Sequence, residues 1–362
     1  MSMKKIVTIL GARPQFVKAA VLSRIIAKHN EIEEVIVHTG QHYDANMSAV
    51  FFAEMQIPKP AYNLDINGLS HGAMTGQMLE KIESVLQQEK PQAVVIYGDT
   101  NSTIAGALAA KKMDINVIHI EAGLRSFNMK MPEEINRILT DRISDVLVCP
   151  TDTAVANLQK EGFGNLPIKI VKSGDIMKDA VAFYGKISAQ KSSILKELSL
   201  TGNAFVLATI HRQENTDDID RLTAIFEGLE QMNSDTKVVV PLHPRTRKIL
   251  EKNHITYAID FIEPVGYFDM LELLKHCKMV VTDSGGLQKE AFFNKKHCII
   301  ARDETEWIEL VINGFAVIVG ANTAKMTAAF QKFKESTADF SVNLYGDEVG
   351  EQIYTEIVDL IQ

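Results

Sequence analysis

The chain has 362 residues, 46% of them apolar and 23% charged, an ordinary make-up for a globular protein. Thirty-eight basic against 46 acidic residues leave a net charge of −8, which argues against a nucleic-acid binder working through a broad basic face. No apolar run approaches the roughly 20 residues of a membrane span. Cys149, Cys277 and Cys298 are far apart, a usage that suits a reducing compartment and makes no zinc spacing. The expectation is a cytoplasmic protein of about two domains, at roughly 150 residues each, with no metal, no nucleic acid and no membrane insertion.

The first apolar run, Lys5 to Leu10, predicts a buried strand. It leads into Gly11-Ala12-Arg13-Pro14-Gln15, and Pro14 suits the opening of a helix over Gln15 to Lys28. Arg13 then falls in the turn and Lys18 about one turn into the helix. Two cations at a helix N-terminus invite an anion, most naturally phosphate. Glu34 to His38 and Ala93 to Tyr97 predict further strands, with helical spacing over Thr75 to Gln88 between them. Gly98-Asp99-Thr100 follows the strand ending at Tyr97. The next strand, Asn116 to Ile120, runs into Glu121-Ala122-Gly123-Leu124-Arg125, and Pro132-Glu133-Glu134 opens another helix. Asp99, Glu121 and Glu133 therefore share one rim of a sheet. Like charges and partial burial would raise some of their pKa values toward neutrality, as acid–base groups require. Glu134 is spaced to pair with Arg137 on the helix surface, which favours Glu133. Neither a Walker loop nor Gly-x-Gly-x-x-Gly follows a strand, so no dinucleotide cofactor is indicated.

Val146 to Cys149 ends the first series, and the pattern pauses near Lys169 to Lys186. A second series runs through Phe205 to Thr209, Lys237 to Pro241, Ile259 to Ile262, Met279 to Thr282, His297 to Ala301 and Ala316 to Val319. Strands alternating with helices predict parallel sheets covered on both faces. The expected domains are 1–175 and 176–345, with a helix over 346–362 packing back on the first. His211 stands in the loop after the first strand of the second series, and Arg247 adds a cation after the next. Asp283-Ser284-Gly285-Gly286 joins a strand to a helix. Its glycines let backbone N–H groups approach an anion. Glu290, one helical turn on, suits the hydroxyls of a ribose. Trp307, the only tryptophan, stands in a charged loop and either stacks on a ligand ring or covers the loop. The residues alone point to a nucleotide diphosphate, most naturally a nucleotide sugar, in one domain and to carboxylates and cations in the other.

These motifs, with Thr39-Gly40-Gln41-His42 and Arg302-Asp303-Glu304-Thr305-Glu306, resemble the non-hydrolysing UDP-N-acetylglucosamine 2-epimerase family. The resemblance implies an α/β GT-B fold: two Rossmann-like doubly wound domains with the active site in the cleft between them. It implies a reaction without cofactor or metal. A base removes the C2 proton as the C1–O bond to UDP breaks, a 2-acetamidoglycal forms, and UDP adds back as a proton reaches the opposite face. Asp99, Glu121 and Glu133 match the family's acid–base carboxylates and His211 the histidine that assists the leaving UDP. Arg13, Lys18, Ser284, Gly285 and Gly286 match phosphate contacts, Arg247 a further UDP contact, and Glu290 the ribose contact. Homodimers are implied as well.

Some positions depart from the N-acetylglucosamine enzymes: Trp307 stands for an arginine, and Val265 and Met270 for a glutamine and a phenylalanine near the uracil. Ser126 to Pro132 and Thr305-Glu306-Trp307-Ile308-Glu309 resemble instead the branch acting on UDP-2,3-diacetamido-2,3-dideoxy-glucuronate, which serves bacterial surface polysaccharide. A uronate needs a cation for its C6 carboxylate, and Arg125 or Lys130, lying between the glutamates, is the expected source, with Arg137 a further sugar contact. UDP-N-acetylglucosamine is the alternative substrate, and a GT-B glycosyltransferase the more distant reading. Gln41-His42 lies where a second UDP-sugar activates some relatives, but Tyr43 to Met47 differ in spacing from that pattern.

Overall fold

A computed structural model describes residues 3–41, 52 and 55–362. His42 and the Tyr43 to Met47 stretch lie outside the described residues. The chain divides into two compact units, Met1–Ala180 with Asn343–Gln362, and Val181–Val342.

The first unit holds, among the described residues, seven strands: β1 (Lys4–Leu10), β2 (Ile32–His38), β3 (Tyr62–Asn63), β4 (Ala93–Tyr97), β5 (Asn116–Ile120), β6 (Val146–Cys149) and β7 (Lys169–Lys172). They form one sheet in the order β3-β2-β1-β4-β5-β6-β7, every neighbour parallel; Val7, for example, faces Val35 on one side and Val94 on the other. The central strands read as β-branched runs because both faces are covered: every residue of β4 is buried, as parallel strands between helix layers require. Helices Arg13–His29, His71–Glu89, Asn101–Lys112 and Pro132–Ile143 supply cover. One core gathers Val7, Ile9, Val94 and Ile96 with Met78, Ile82 and Leu86.

The sequence reading left β3 and β7 out. β7 falls within the expected pause, and its ends are exposed lysines around Ile170 and Val171. A four-residue edge strand carries too few apolar positions to show a period.

The second unit repeats the design with β8 (Val206–Thr209), β9 (Val238–Pro241), β10 (Asp260–Ile262), β11 (Met279–Thr282), β12 (His297–Ile300) and β13 (Ala316–Ile318). Their order is β10-β9-β8-β11-β12-β13, again all parallel. Val206, Ala208, Val281 and Ile299 pack beneath Phe226, Leu229 and Phe330. In each sheet the strand order reverses once, between β1 and β4 and between β8 and β11. Such reversals open a crevice beyond the carboxyl ends of the strands, where ligands bind in open α/β sheets.

The last helix, Val349–Ile361, packs on Arg13–His29 within the first unit. Tyr354 donates to Glu31 (3.1 Å), and Glu351 takes Lys28 (2.8 Å) and His29 (2.9 Å). The return is tight where Asp175 N–H bonds the Tyr345 carbonyl at 2.9 Å. Gly174 has φ +102°, and a Cβ there would lie 2.2 Å from that carbonyl oxygen. Gly202 also has positive φ, +76°, but with no atom within 4 Å. Gly202→Ala is expected to lose about 1 kcal/mol from backbone strain alone. Gly174→Ala adds a backbone clash and should lose roughly 1–3 kcal/mol more. Urea unfolding of the two variants measures the difference, and equal losses would refute the close packing.

Candidate active site

At the first reversal the turn after β1 is tied to the turn after β4 by one buried side chain. Gln15 accepts from the N–H groups of Gly11 (2.8 Å) and Ala12 (2.9 Å), and donates to the Tyr97 carbonyl (2.7 Å) and to Thr100 and Thr103 (both 3.0 Å). Thr100 caps the helix Asn101–Lys112. Asp99 thus leaves β4 on a braced turn, half-buried. Its carboxylate is held by Arg137, which also binds the fully buried Glu134. Glu134 takes the N–H groups of Ser126 (3.0 Å) and Phe127 (2.9 Å), so it pairs with Arg137 as the spacing predicts, but inside the protein rather than on a surface.

Glu121 follows β5 with φ +72°, a left-handed conformation that is costly for a residue with a side chain and that concentrates at functional sites. Its carboxylate binds Lys18, and both side chains are largely buried, at 13% and 7% exposure. Lys18 and Glu121, proposed from separate motifs, therefore meet, and so do Asp99 and Arg137. This differs from the expected cluster of like charges: each of these two carboxylates faces a cation, because a buried carboxylate is tolerated only when paired. Glu133 sits in the first turn of Pro132–Ile143, half-buried and with no hydrogen-bond partner among the described residues. Arg13, half-buried, opens the helix after β1 beside the exposed Pro14.

Arg125 is a correction. Position between the glutamates made it a sugar-contact candidate, but its side chain has no exposure. It binds Glu161 through Nε (2.7 Å) and Nη2 (2.8 Å), and Asp141 (2.7 Å) and the Leu124 carbonyl (2.7 Å) through Nη1. Lys130 is exposed in the same loop. Burial alone would raise the Asp141 carboxyl; bonds from His119 and Arg125 outweigh it and hold it below its ordinary value.

At the second reversal the organiser is Asp283, which has no exposure. It accepts from the N–H groups of His211 (3.0 Å) and Arg212 (2.9 Å) and from Asn215 Nδ2 (3.1 Å), and lies 3.3 Å from His211 Nδ1. Desolvation lowers the His211 pKa below its ordinary value against the pull of Asp283, and Arg212 and His243 add to the lowering. Ser284 precedes the helix Gly285–Phe293. A Cβ at Gly285 would lie 3.9 Å from both the Arg212 and Arg302 guanidinium groups and 3.7 Å from Glu306, whereas one at Gly286 would meet nothing within 4 Å. The helix start therefore presents open backbone beside two arginines, a setting suited to a diphosphate. Arg302 stood inside a quoted motif and Arg212 follows His211, and neither was singled out; their approach to Gly285 comes from other segments of the chain.

Glu290 is half-buried on that helix. Arg247 is paired with Glu263 at 2.8 Å. Trp307 is 4% exposed and lies under Lys289, whose Nζ is 3.8 Å from the ring centre. The indole supports a buried cation within its own unit, which answers the choice between ligand stacking and loop cover in favour of the protein interior. Among the described residues no group of His, Cys, Asp and Glu is arranged to hold a metal ion, and no helix is long and apolar enough to cross a membrane.

The Arg125 assignment has a direct check. Arg125→Ala removes the guanidinium that Asp141 and Glu161 share and should cost roughly 3–5 kcal/mol of stability, read as a fall in melting temperature. A stable variant with a raised KM for a uronate substrate would restore the sugar-contact reading.

The chain matches the UDP-N-acetylglucosamine 2-epimerase family over residues 24–359. It is 51% identical over 343 residues to the UDP-2,3-diacetamido-2,3-dideoxy-D-glucuronate 2-epimerase of Pseudomonas aeruginosa, covering 94% of this chain and 96% of that one. It is 48% identical over 344 residues to a UDP-N-acetylglucosamine 2-epimerase homolog of Methanococcus maripaludis, covering 93% and 94%. The solved structure of the Methanocaldococcus jannaschii UDP-GlcNAc 2-epimerase in complex with UDP-GlcNAc and UDP matches with a TM-score of 0.89 at 40% identity, covering 98% and 99%. With such likeness over nearly its whole length, the chain belongs to the UDP-N-acetylglucosamine 2-epimerase family of UDP-sugar isomerases, built from the two Rossmann-like units of the GT-B fold.

Proposed function

We propose that the protein inverts C2 of UDP-2,3-diacetamido-2,3-dideoxy-glucuronate, gluco to manno, without hydrolysis, in the supply of surface polysaccharide. The observation that carries the reading is the pairing of two acidic residues at the first sheet's reversal, Glu121 and Asp99, with Lys18 and Arg137. Glu121, Asp99 and Glu133 act as the acid–base groups. One carboxylate takes the C2 proton, and the electron pair of that C–H bond forms the C1–C2 double bond. The C1–O bond to the β-phosphate breaks, and its electrons leave with UDP. Reversal, with a proton delivered to the other face of C2 and UDP adding back to C1, completes the inversion.

The leaving group carries the charge, so its stabilisation matters as much as the base. Arg13, Lys18 and the backbone of Ser284, Gly285 and Gly286 receive the diphosphate, His211 assists its departure, Arg247 adds a UDP contact and Glu290 holds the ribose. Lys18 is then shared. An arriving diphosphate competes for it with Glu121, and Glu121 is released from its counter-ion as the substrate seats. The substrate choice is supported by the name of the P. aeruginosa relative and by Trp307, which stands beside Lys289 where the resemblance led to an arginine. With Arg125 engaged inside the unit, Lys130 is the candidate for the C6 carboxylate. UDP-N-acetylglucosamine remains the second reading, favoured by the ligands of the M. jannaschii structure. The working form is a homodimer in the cytoplasm, its mass to be checked by light scattering.

Proton NMR in D2O with each UDP-sugar in parallel tests the activity. Deuterium at C2 with a new manno-configured UDP-sugar is expected, faster with the diacetamido uronate. Faster turnover of UDP-N-acetylglucosamine reverses the substrate choice, and free UDP accumulating with free sugar reveals hydrolysis. Asp99→Asn, Glu121→Gln and Glu133→Gln should each lower kcat by at least roughly 10²-fold with modest loss of UDP affinity. Near wild-type rates in all three would refute the assignment.

A further inference from the structure

His119 lies within β5 between Ile118 and Ile120, and its side chain has no exposure. A buried ring must satisfy its polar atoms. Here both nitrogens face acceptors: Nδ1 is 2.7 Å from Asp141 Oδ1, and Nε2 is 2.6 Å from the Gly98 carbonyl oxygen. A neutral imidazole has one N–H and one lone pair, and a lone pair cannot face a carbonyl oxygen at that distance. Nε2 therefore carries the proton that faces the Gly98 carbonyl, while Nδ1 faces Asp141, which is also bound by Arg125, as Arg125 is by Glu161.

The carbonyl that His119 holds is that of the residue before Asp99. Gly98 has φ +63°, and its N–H bonds the Ile120 carbonyl at 2.9 Å. A Cβ there would lie 3.3 Å from Glu121 Oε2, so this backbone forms the wall behind the Glu121 carboxylate. On the far side of Glu121, the Gly123 N–H donates to Asp141 Oδ2 at 3.1 Å. Asp141 thus fixes the turn after β5 directly, and the turn after β4 through His119.

We infer that His119 is a positioning residue of the reaction: its ring, anchored on Asp141 through Nδ1, holds the Gly98 peptide through Nε2 and thereby sets Asp99 against Glu121. The inference rests on the proposed roles of those two carboxylates. A misplacement of about 1 Å in such groups can cost on the order of 10²-fold in rate.

Two near-isosteric variants separate positioning of Gly98 from simple contact with Asp141. The glutamine amide nitrogen of His119→Gln stands where Nε2 was and still reaches Gly98. The asparagine nitrogen of His119→Asn stands where Nδ1 was and reaches only Asp141. With the full-length wild-type enzyme epimerising in the D2O assay as reference, His119→Asn is expected to lose on the order of 10²-fold in kcat. UDP affinity and melting temperature should not follow it. His119→Gln should recover most of that loss. An active His119→Asn, or a loss that lies wholly in KM and UDP affinity, overturns the inference. Should both variants fail to fold, ring-15N NMR of the wild type decides: a protected Nε2–H supports it, and an Nε2 without a proton refutes it. A wild type that does not exchange C2 defeats the functional reading itself, which the ring NMR measurement leaves separate.

Discussion

The rim of the first sheet depends on a carboxylate that has no contact with water. Asp141 lies on the helix Pro132–Ile143 with no exposure, and an ionised group there is sustained only if its oxygens are filled and its charge met. His119 comes from β5, and the Gly123 N–H and Arg125 from the loop beyond it. The requirement of one buried charge thus fixes strand, loop and helix together. It also explains why Glu121 persists at φ +72°: the backbone is bound immediately before it and two residues after it. Strain of that kind survives only where its surroundings over-determine it.

The second unit applies the same device at its own reversal. Asp283 is as deeply buried as Asp141 and gathers N–H groups from the segment after β8, which is far away in sequence. The partners differ in a way that suits different tasks. Asp141 is surrounded by charges, and its environment holds catalytic candidates in place. Asp283 takes mainly backbone N–H groups, and beside it Gly285 leaves the start of a helix open near two arginines. A diphosphate needs such donors before it needs a base.

How much of this was legible follows from burial. β4, β5, β6 and β11 were readable because strands covered on both faces are largely apolar runs rich in β-branched residues. The two-residue β3 and the edge strand β7 carry no such run. Asp99 and Glu121 were singled out because a carboxylate just past a buried strand is conspicuous. Arg125 was misjudged because linear position between two glutamates says nothing about which way a guanidinium turns; its partners Asp141 and Glu161 come later in the chain. His119 had no signal at all. Within Asn116 to Ile120 it reads as one polar residue in an apolar strand, and only the fold brings Asp141 and Gly98 to its two nitrogens.

In the proposed reaction, pairing of Glu121 and Asp99 with cations changes how a UDP-sugar is selected. Here Lys18 occupies Glu121, and Arg137 is divided between Asp99 and Glu134. A ligand without a diphosphate offers Lys18 nothing better than the carboxylate it already holds. A diphosphate presents several anionic oxygens at once, and drawing Lys18 away frees the carboxylate only when the leaving group is in place. On the roles proposed above, the ion pair would be a gate on chemistry: bond breaking at C1 and proton removal at C2 would be coupled because one lysine would serve both.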